Sequence, residues 1–214
     1  MTRRPDLYFF LSYAQGSDRD NALVLRFFNE LREEVRLTAG LRRGQEPRIG
    51  FIDVSLTVGV DWSVDITRAV DTCQVFLALC CPTYFASSAC TEEWDRFHHR
   101  LVTHRDRTGV MAPALIPLIW QPMDLPEKAT RLQYRQLSLG ATYAKIGLRQ
   151  LIGLQRNDDD YREFLPALAT TIVATVEAHH IEAYGDEPSD APAKRIPHPR
   201  KSEPLKKFPR IENN

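Results

Sequence analysis

Short apolar runs recur along the first part of the chain, and each run ends in polar or turn-forming residues. Runs that are apolar throughout and only a few residues long are typical of strands buried on both faces of a parallel sheet. The pattern therefore predicts four strands, at Leu7 to Ser12, Ile49 to Val54, Val75 to Cys81 and Ala114 to Trp120.

Between these runs, apolar residues recur at helical spacing, which predicts amphipathic helices packed on the sheet. The first helix is expected to begin at Asp18 or Asp20, which can cap it, and to end near Gly40. Its apolar stripe is followed by three others along the chain. The four stripes are Val24, Phe27, Phe28, Leu31 and Val35; Trp62, Ile66, Ala69, Val70 and Cys73; Cys90, Trp94, Phe97 and Leu101; and Leu165, Leu168, Ala169, Ile172, Val173 and Val176.

Two segments carry weaker patterns. Thr83 to Ser88 follows Pro82 and is predicted to form a turn. From Gln121 to Leu148 the signals are mixed, and we expect short helices with a fifth, short strand near Tyr143 to Ile146. The alternation of strands and helices predicts an α/β fold, with a parallel sheet of four to five strands and helices on both faces. Loops at the carboxyl ends of the strands should then carry function.

The charge is balanced over the whole chain, with 28 basic and 28 acidic residues. The last thirty residues, 185–214, contain six prolines and no apolar period, which predicts a disordered tail after a single domain at 1–184. That tail holds seven basic and five acidic residues, so the rest of the chain is slightly acidic. Nucleic acid and anionic membranes are therefore poor candidates for partners.

The apolar runs are shorter than the roughly 20 residues that a membrane helix needs, and the basic start lacks a secretory cleavage site. The sequence therefore favours a cytoplasmic protein. Its four cysteines have neither the spacing of a zinc site nor the density of a disulfide scaffold, so we expect them to be reduced and buried.

Familiar catalytic motifs are missing from the sequence. It contains no phosphate-binding loop, dinucleotide fingerprint, nucleophile elbow or zincin motif. His98 and His99 are adjacent on a predicted helix, where neighbours point about 100° apart and cannot share a metal. Cys80 and Cys81 follow each other in a strand and face opposite sides of the sheet, so packing explains both. No metal site is expected.

The segment SSACTEEW, Ser87 to Trp94, contains one carboxylate placed for chemistry. On a helical wheel with Cys90 at the origin, Glu92 lies at about 200°, facing solvent, and Glu93 at about 300°, beside the buried stripe. Glu93 can thus reach the loops above the sheet. Alternatively, Glu93 only favours the helix N-terminus electrostatically.

Three segments together resemble the Toll/interleukin-1 receptor (TIR) domain family over about Leu7 to Trp120. Tyr8 to Tyr13, YFFLSY, resembles the first box of the family, a strand that ends in Ser and Tyr. Phe51 to Gly59, FIDVSLTVG, with the Trp and Ile after it, is similar to the second strand, the BB loop and the next helix. Cys81 to Glu93 is similar to the end of the third strand, with a Pro, a Tyr or Phe, and a Cys followed by Glu.

This resemblance implies a flavodoxin-like TIR fold and two activities. Many TIR domains associate with each other or with other TIR-type proteins through the BB loop. Others cleave NAD into nicotinamide and ADP-ribose through the Glu matched by Glu93, and no further cofactor is implied. The resemblance and the strand ends place the expected substrate contacts at Ser12, Tyr13, Asp53 and Trp62, and the expected interface at Leu56, Val58, Gly59 and Val60.

Two residues depart from the pattern of the catalytic members. Ala89 stands where they usually carry a Trp that walls the nicotinamide end, and Ala14 replaces an Arg that some carry. Trp62 or Trp94 could compensate, although Trp94 belongs to the predicted core stripe. Gly147 to Val176 further resembles the TIR-like accessory proteins encoded beside radical-SAM peptide maturation systems in actinobacteria.

These features leave three hypotheses for the function. The leading one is a TIR protein of intracellular signalling or assembly that cleaves NAD through Glu93. Its rival is a catalytically silent interaction module or accessory factor. A nucleoside deoxyribosyltransferase-like enzyme shares a related sheet and N-glycosidic chemistry, but it would want further polar groups for a free base.

Overall fold

A parallel sheet forms the centre of the molecule. The computed structural model describes residues 5–44, 49–53, 62–130 and 139–184. Within these residues the sheet has four strands in the order β2-β1-β3-β4, and all neighbours run parallel. The strands are β1 (Leu7–Ser12), β2 (Gly50–Ile52), β3 (Cys73–Cys80) and β4 (Leu115–Ile119). The predicted α/β class and the four predicted strands are thereby confirmed, with small shifts at the strand ends.

Helices cover both faces of this sheet. On one face α1 (Asp18–Thr38) packs against α8 (Asp158–Ala178), with the rings of Phe27 and Phe164 6.4 Å apart. On the other face α2 (Trp62–Thr72) packs against α4 (Ser88–Thr108). The predicted apolar stripe of α4 is buried as expected, and all four cysteines are buried and free. The core therefore lies in two layers, above and below the sheet.

Alternation along the strands decides which side chains face α4. Phe10 of β1 stacks on Phe76 of β3 at 5.4 Å, and Phe76 stacks on Phe97 of α4 at the same distance. Phe9 points the other way and meets Phe28 of α1. Since side chains two residues apart in a strand share a face, the last residue of β1 lies on the α4 side.

The segment after β3 differs from its prediction. The expected turn at Thr83 to Ser88 is wrong, because Pro82–Ala86 forms a short helix, α3. Pro82 occupies the first turn of α3, where its fixed φ suits a helix and its missing N–H costs nothing. Ser87 ends α3 and also caps α4, accepting a hydrogen bond from the Cys90 N–H at 3.4 Å.

The predicted fifth strand near Tyr143 to Ile146 is also wrong. Short helices occupy this region, with α5 at Glu127–Thr130, α6 at Ala141–Ile146 and α7 at Leu148–Gly153, and a 3₁₀ turn at Gln155–Asn157 leads into α8. The N–H of Ile119 on the outer edge of β4 donates to the hydroxyl of Tyr143 at 2.8 Å. The Tyr143 side chain from α6 thus satisfies this N–H, at the edge where a fifth strand would have paired with β4.

The segment after α8 is held against the opposite end of the sheet. The side chain of Gln74 donates to the carbonyl of Ile181 at 2.9 Å and accepts from its N–H at 2.8 Å. The buried Arg100 donates to the carbonyls of Val70, Cys73 and Glu182. The described chain is therefore packed as far as Tyr184, whose N–H donates to a carbonyl at the end of α2.

A membrane-spanning helix is not found in the described part of the chain, since no helix there combines sufficient length with sufficient hydropathy.

Candidate active site

The carboxyl ends of the two central strands, β1 and β3, meet the first turns of α4. Ser12 is the last residue of β1 and is 2% exposed. It shares the α4 face with Phe10, as the alternation along the strand requires. Four residues before Phe97 on α4 stands Glu93, which therefore projects toward the same face of the sheet. The fold thus brings together two residues that are 81 positions apart in sequence.

Ser12 and Glu93 are joined by a short hydrogen bond. The Ser12 hydroxyl donates to Glu93 Oε2 at 2.6 Å, and the carboxylate is half-buried. Its neighbour Glu92 is exposed. The helical phase predicted from sequence is therefore confirmed, and Glu93 contacts the end of β1 through this hydrogen bond.

A third residue, Tyr84, lies next to the Ser12 and Glu93 pair. It lies in α3, is 0% exposed, and its hydroxyl is 3.0 Å from Ser12 Oγ and 3.4 Å from the carbonyl oxygen of Cys90. Tyr84 is not among the site residues expected from the sequence. Its sequence signal is the Tyr or Phe of the motif after β3, a position that carries the resemblance but to which no role is assigned.

Burial controls the charge of Glu93. It raises the pKa of this carboxyl, which the nearby Asp53 and Glu92 carboxylates raise further, while the hydrogen bond from Ser12 lowers it. The resulting pKa is about 7, against an ordinary value of 4.5. A carboxyl of this kind changes charge near neutral pH, which is a common property of functional groups in enzyme sites.

Tyr13 and Asp53 lie at the ends of neighbouring strands beside this carboxyl. Burial raises the pKa of the Tyr13 phenol, and the charges of Asp53 and Cys90 raise it further. Asp53 is half-buried directly after β2. The Asp53 carboxylate helps to raise the pKa of both Tyr13 and Glu93, as expected for charged and polar groups gathered at these strand ends and the adjoining helix.

A cavity of about 170 Å³ adjoins the cluster on the α1 side of the sheet. Tyr13 forms part of its wall, together with the loop after β1, the first turns of α1 and the ends of β3 and β4. The lining includes Gly16, Asp20, Asn21, Cys81, Thr83, Trp120 and Gln121. Tyr13 lines this cavity, whereas Glu93 is not among its lining residues.

The remaining predicted site residues have different outcomes. Trp62 begins α2, but its side chain lies outside the described residues. The expected interface residues Leu56, Val58, Gly59 and Val60 lie outside them too. Trp94 is 1% exposed and packs edge-on against Phe85 in the core, so it cannot wall a pocket.

Thiol chemistry at this edge would depend on the cysteine at the end of β3, and metal binding would depend on side chains that can act as ligands. Burial raises the pKa of the Cys80 thiol to about 12, which keeps it neutral. His98 and His99 are both exposed on α4. Among residues 5–44, 49–53, 62–130 and 139–184, no group of three or more His, Cys, Asp or Glu is arranged to hold a metal ion.

Comparisons with known proteins give a family and a likeness to solved structures. A family model described as TIR domain matches residues 9–152. Among solved structures, the chain is similar to the TIR domains in the structure of the activated Roq1 resistosome directly recognizing the pathogen effector XopQ. The identity is 18%, the match covers 78% of this chain and 82% of that chain, and the TM-score is 0.36. A comparison with curated proteins finds no matching sequence.

Proposed function

The chain belongs to the TIR domain family, and from this premise we propose that it cleaves NAD into nicotinamide and ADP-ribose with Glu93 as the catalytic carboxylate. The observation that carries the proposal is the half-buried Glu93 held by Ser12 at the carboxyl edge of the sheet. In open α/β sheets this edge is where ligands bind. The activity would serve signalling or assembly.

One carboxylate is enough for this reaction. The bond between the ribose C1′ and the pyridinium nitrogen breaks with its electron pair going to the ring, so nicotinamide leaves as a neutral molecule without a general acid. Water then adds to C1′ and loses a proton. The ribose carries positive charge in between, and a fixed anion in a water-poor site stabilises it by about a few kcal/mol.

The pKa of Glu93, about 7 in the absence of substrate, suits this role. The cationic pyridinium of NAD would favour the ionised carboxylate as it enters, because an opposite charge nearby lowers the pKa of a carboxyl. The Glu93 carboxyl would therefore be partly ionised near neutral pH in the free protein. It would become fully ionised when NAD binds. Cleavage should accelerate as pH rises through this range.

The other strand-end residues would bind the substrate. Ser12 holds Glu93 in place, and the Tyr13 phenol offers an aromatic face and a hydroxyl beside it. Asp53 would accept hydrogen bonds from ribose hydroxyls, and Trp62 at the start of α2 would close the nicotinamide end. Each of these roles belongs to the proposal.

Assembly is the second part of the proposal. Leu56, Val58, Gly59 and Val60, which lie outside the described residues, would form contacts with a second copy or another TIR-type protein. If the wild type associates in light scattering, Gly59→Pro should weaken that association, and unchanged association would contradict this part. The place of action would be the cytoplasm, where free cysteines stay reduced.

One observation favours the silent module instead. Ala89 is exposed in the first turn of α4, so no ring at this position walls the space beside Glu93. An accessory role beside a radical-SAM peptide maturation system would fit such a module, and the resemblance of Gly147 to Val176 is its support. The exposure of Ala89 also means that a larger side chain can be placed there without disturbing the core.

The test is nicotinamide release from NAD by the purified protein, free and in an enforced oligomer. The proposal expects release by the wild type in at least one of these states. An inactive wild type that gains activity as Ala89→Trp would show that the carboxylate is competent and the wall is missing. No release from either protein in either state would favour the silent module.

A further inference from the structure

The Tyr84 hydroxyl is the deepest polar group of the site. It is fully buried beneath the strand ends and has two neighbours that can accept its proton. Ser12 Oγ lies at 3.0 Å and the carbonyl oxygen of Cys90 at 3.4 Å. The cleavage of NAD does not itself require the Tyr84 hydroxyl, so the role of this buried group needs a separate explanation.

Counting protons fixes the direction of the hydrogen bonds. A serine hydroxyl has one proton, and when Glu93 is ionised Ser12 gives this proton to the carboxylate at 2.6 Å. Ser12 can then only accept from Tyr84. Of the two acceptors near the phenol, Ser12 is the closer by 0.4 Å. The protons therefore run from Tyr84 to Ser12 and from Ser12 to Glu93.

We propose that Tyr84 is a positioning residue of this site, which donates to Ser12 and thereby keeps the Ser12 hydroxyl turned toward Glu93. The proposal rests on the proposed function for its catalytic meaning, while the hydrogen-bond chain itself does not depend on NAD. Tyr84 touches neither substrate nor reacting atoms, and it acts through Ser12.

The surroundings of Ser12 show why a positioning group is needed. Cys90 borders the hydroxyl, and a serine rotor turns freely toward any acceptor within reach. A donor from below occupies a lone pair of Ser12 and leaves its proton to point at the carboxylate. Chained hydrogen bonds also polarise each other, which strengthens the bond to the anion.

The phenol is suited to this task. Burial raises its pKa well above the ordinary value, so Tyr84 stays protonated and able to donate at neutral pH. Its ring is fixed by an edge-on contact with Phe85, with centroids 5.3 Å apart, and by the short helix α3. The hydroxyl is therefore held in one place relative to β1.

Tyr84→Phe tests the proposal, with the pKa of Glu93 followed by NMR of carboxyl-labelled glutamate and assigned by comparison with Glu93→Gln. Losing the donor removes stabilisation of the charged form, so the pKa of Glu93 should rise by about half a unit. Tyr143→Phe is the matched control, because Tyr143 is equally buried and its hydroxyl accepts a backbone hydrogen bond at β4. It should leave the pKa of Glu93 unchanged.

A double-mutant cycle shows whether Tyr84 acts through Ser12. Ser12→Ala alone should raise the pKa of Glu93, and adding Tyr84→Phe in that background should change it no further. An unchanged pKa in Tyr84→Phe, an equal rise in Tyr143→Phe, or additive effects of the two site substitutions would overturn the proposal.

A fluorinated tyrosine at position 84 covers the case in which Tyr84→Phe does not fold. Fluorine beside the hydroxyl makes the phenol a stronger donor with nearly the same shape, so the pKa of Glu93 should fall. A rise or no change would overturn the proposal. These titrations need no substrate, so failure to release nicotinamide contradicts the proposed function and leaves the judgement on Tyr84 to the pKa values.

Discussion

Glu92 and Glu93 are adjacent in α4, yet the fold treats them differently. Glu92 is exposed, whereas Glu93 is half-buried and accepts the Ser12 hydrogen bond. The helix turns about 100° between them, which is enough to move a carboxylate from water to the edge of the core. At the scale of single residues, phase on a helix therefore separates a candidate catalytic group from a surface charge.

Because the pKa of Glu93 is raised in the folded protein, the free energy of unfolding should depend on pH. Its pKa is about 7 in the folded protein and 4.5 ordinarily, so the unfolded chain loses this proton first as pH rises. The folded state is therefore penalised progressively between these two values, and the penalty stays constant above them. At about 1.4 kcal/mol per pKa unit, it reaches about 3 kcal/mol as an order of magnitude.

Glu93→Gln should remove this penalty while keeping an oxygen for Ser12. Unfolding in denaturant should show the variant to be more stable than the wild type at about pH 8 and similar to it at about pH 4. Glu92→Gln is the control, since an exposed position should show little difference at either pH. A Glu93→Gln effect of the same size at both pH values would contradict the burial of its charge.

At the scale of elements, local sequence determines some segments and tertiary contacts determine others. Leu7 to Ser12 is predicted to the residue, because it is apolar throughout and ends at a polar loop. Tyr143 to Ile146 is compatible with a strand or a helix, and the bond between the Tyr143 hydroxyl and Ile119 decides for the helix. That contact joins positions 24 residues apart, so no local pattern contains it.

The same division applies to the candidate site. Helical phase and strand alternation are local, and they correctly place Ser12 and Glu93 on one face. The position of Tyr84 depends on how α3 packs against β3 and α4, which brings its hydroxyl to Ser12, 72 residues away in sequence. The sequence signal for this residue was a motif position, and its hydrogen bonds could only be seen once the elements were assembled.

Gly147 connects α6 and α7, and a comparison with Gly109 tests how tightly this connection is constrained. Gly147 and Gly109 have nearly equal positive φ angles, 77° and 76°. A Cβ on Gly147 would lie 2.9 Å from the carbonyl oxygen of Trp120, whereas a Cβ on Gly109 would meet nothing within 4 Å. The ψ angles of the two glycines differ, −1° at Gly109 and 163° at Gly147, and the second combination is found almost only in glycine. Gly109→Ala therefore carries a backbone cost of about 1 kcal/mol, whereas Gly147→Ala carries a larger backbone cost and the clash as well.

Gly147→Ala should therefore lower the free energy of unfolding by at least about 1 kcal/mol more than Gly109→Ala does. Denaturant unfolding of the two variants measures the difference directly. Equal losses would mean that the backbone beside Trp120 yields freely, and that α6 and α7 do not hold the edge of β4 rigidly.

At the scale of the whole molecule, the segment between α8 and Tyr184 closes the end of the sheet opposite the candidate site. Ile181 is 1% exposed, and its backbone satisfies the buried side chain of Gln74. Arg100 uses the same segment for part of its hydrogen bonding. This closing segment belongs to the domain, and residues 185–214 lie outside the described part of the chain.

Two truncations should therefore behave differently. Ending the chain after Tyr184 should leave the melting temperature nearly unchanged, as expected if 185–214 form a dispensable tail. Ending it after Ala178 would strip partners from Gln74 and Arg100, and buried unpaired groups cost about 1–3 kcal/mol each. Thermal unfolding of both proteins measures this. A large drop in the melting temperature of the protein that ends after Tyr184 would show that the domain extends past this residue.

The most direct test of the central claim compares nicotinamide release from NAD by the wild type, Glu93→Gln and Glu92→Gln, in the assembly state that supports release. The account predicts that Glu93→Gln abolishes release while its near-UV circular dichroism stays native. It predicts that Glu92→Gln keeps the wild-type rate within about a few fold, since that carboxylate faces solvent. Undiminished release by Glu93→Gln, or equal losses in both variants, would contradict the assignment of Glu93.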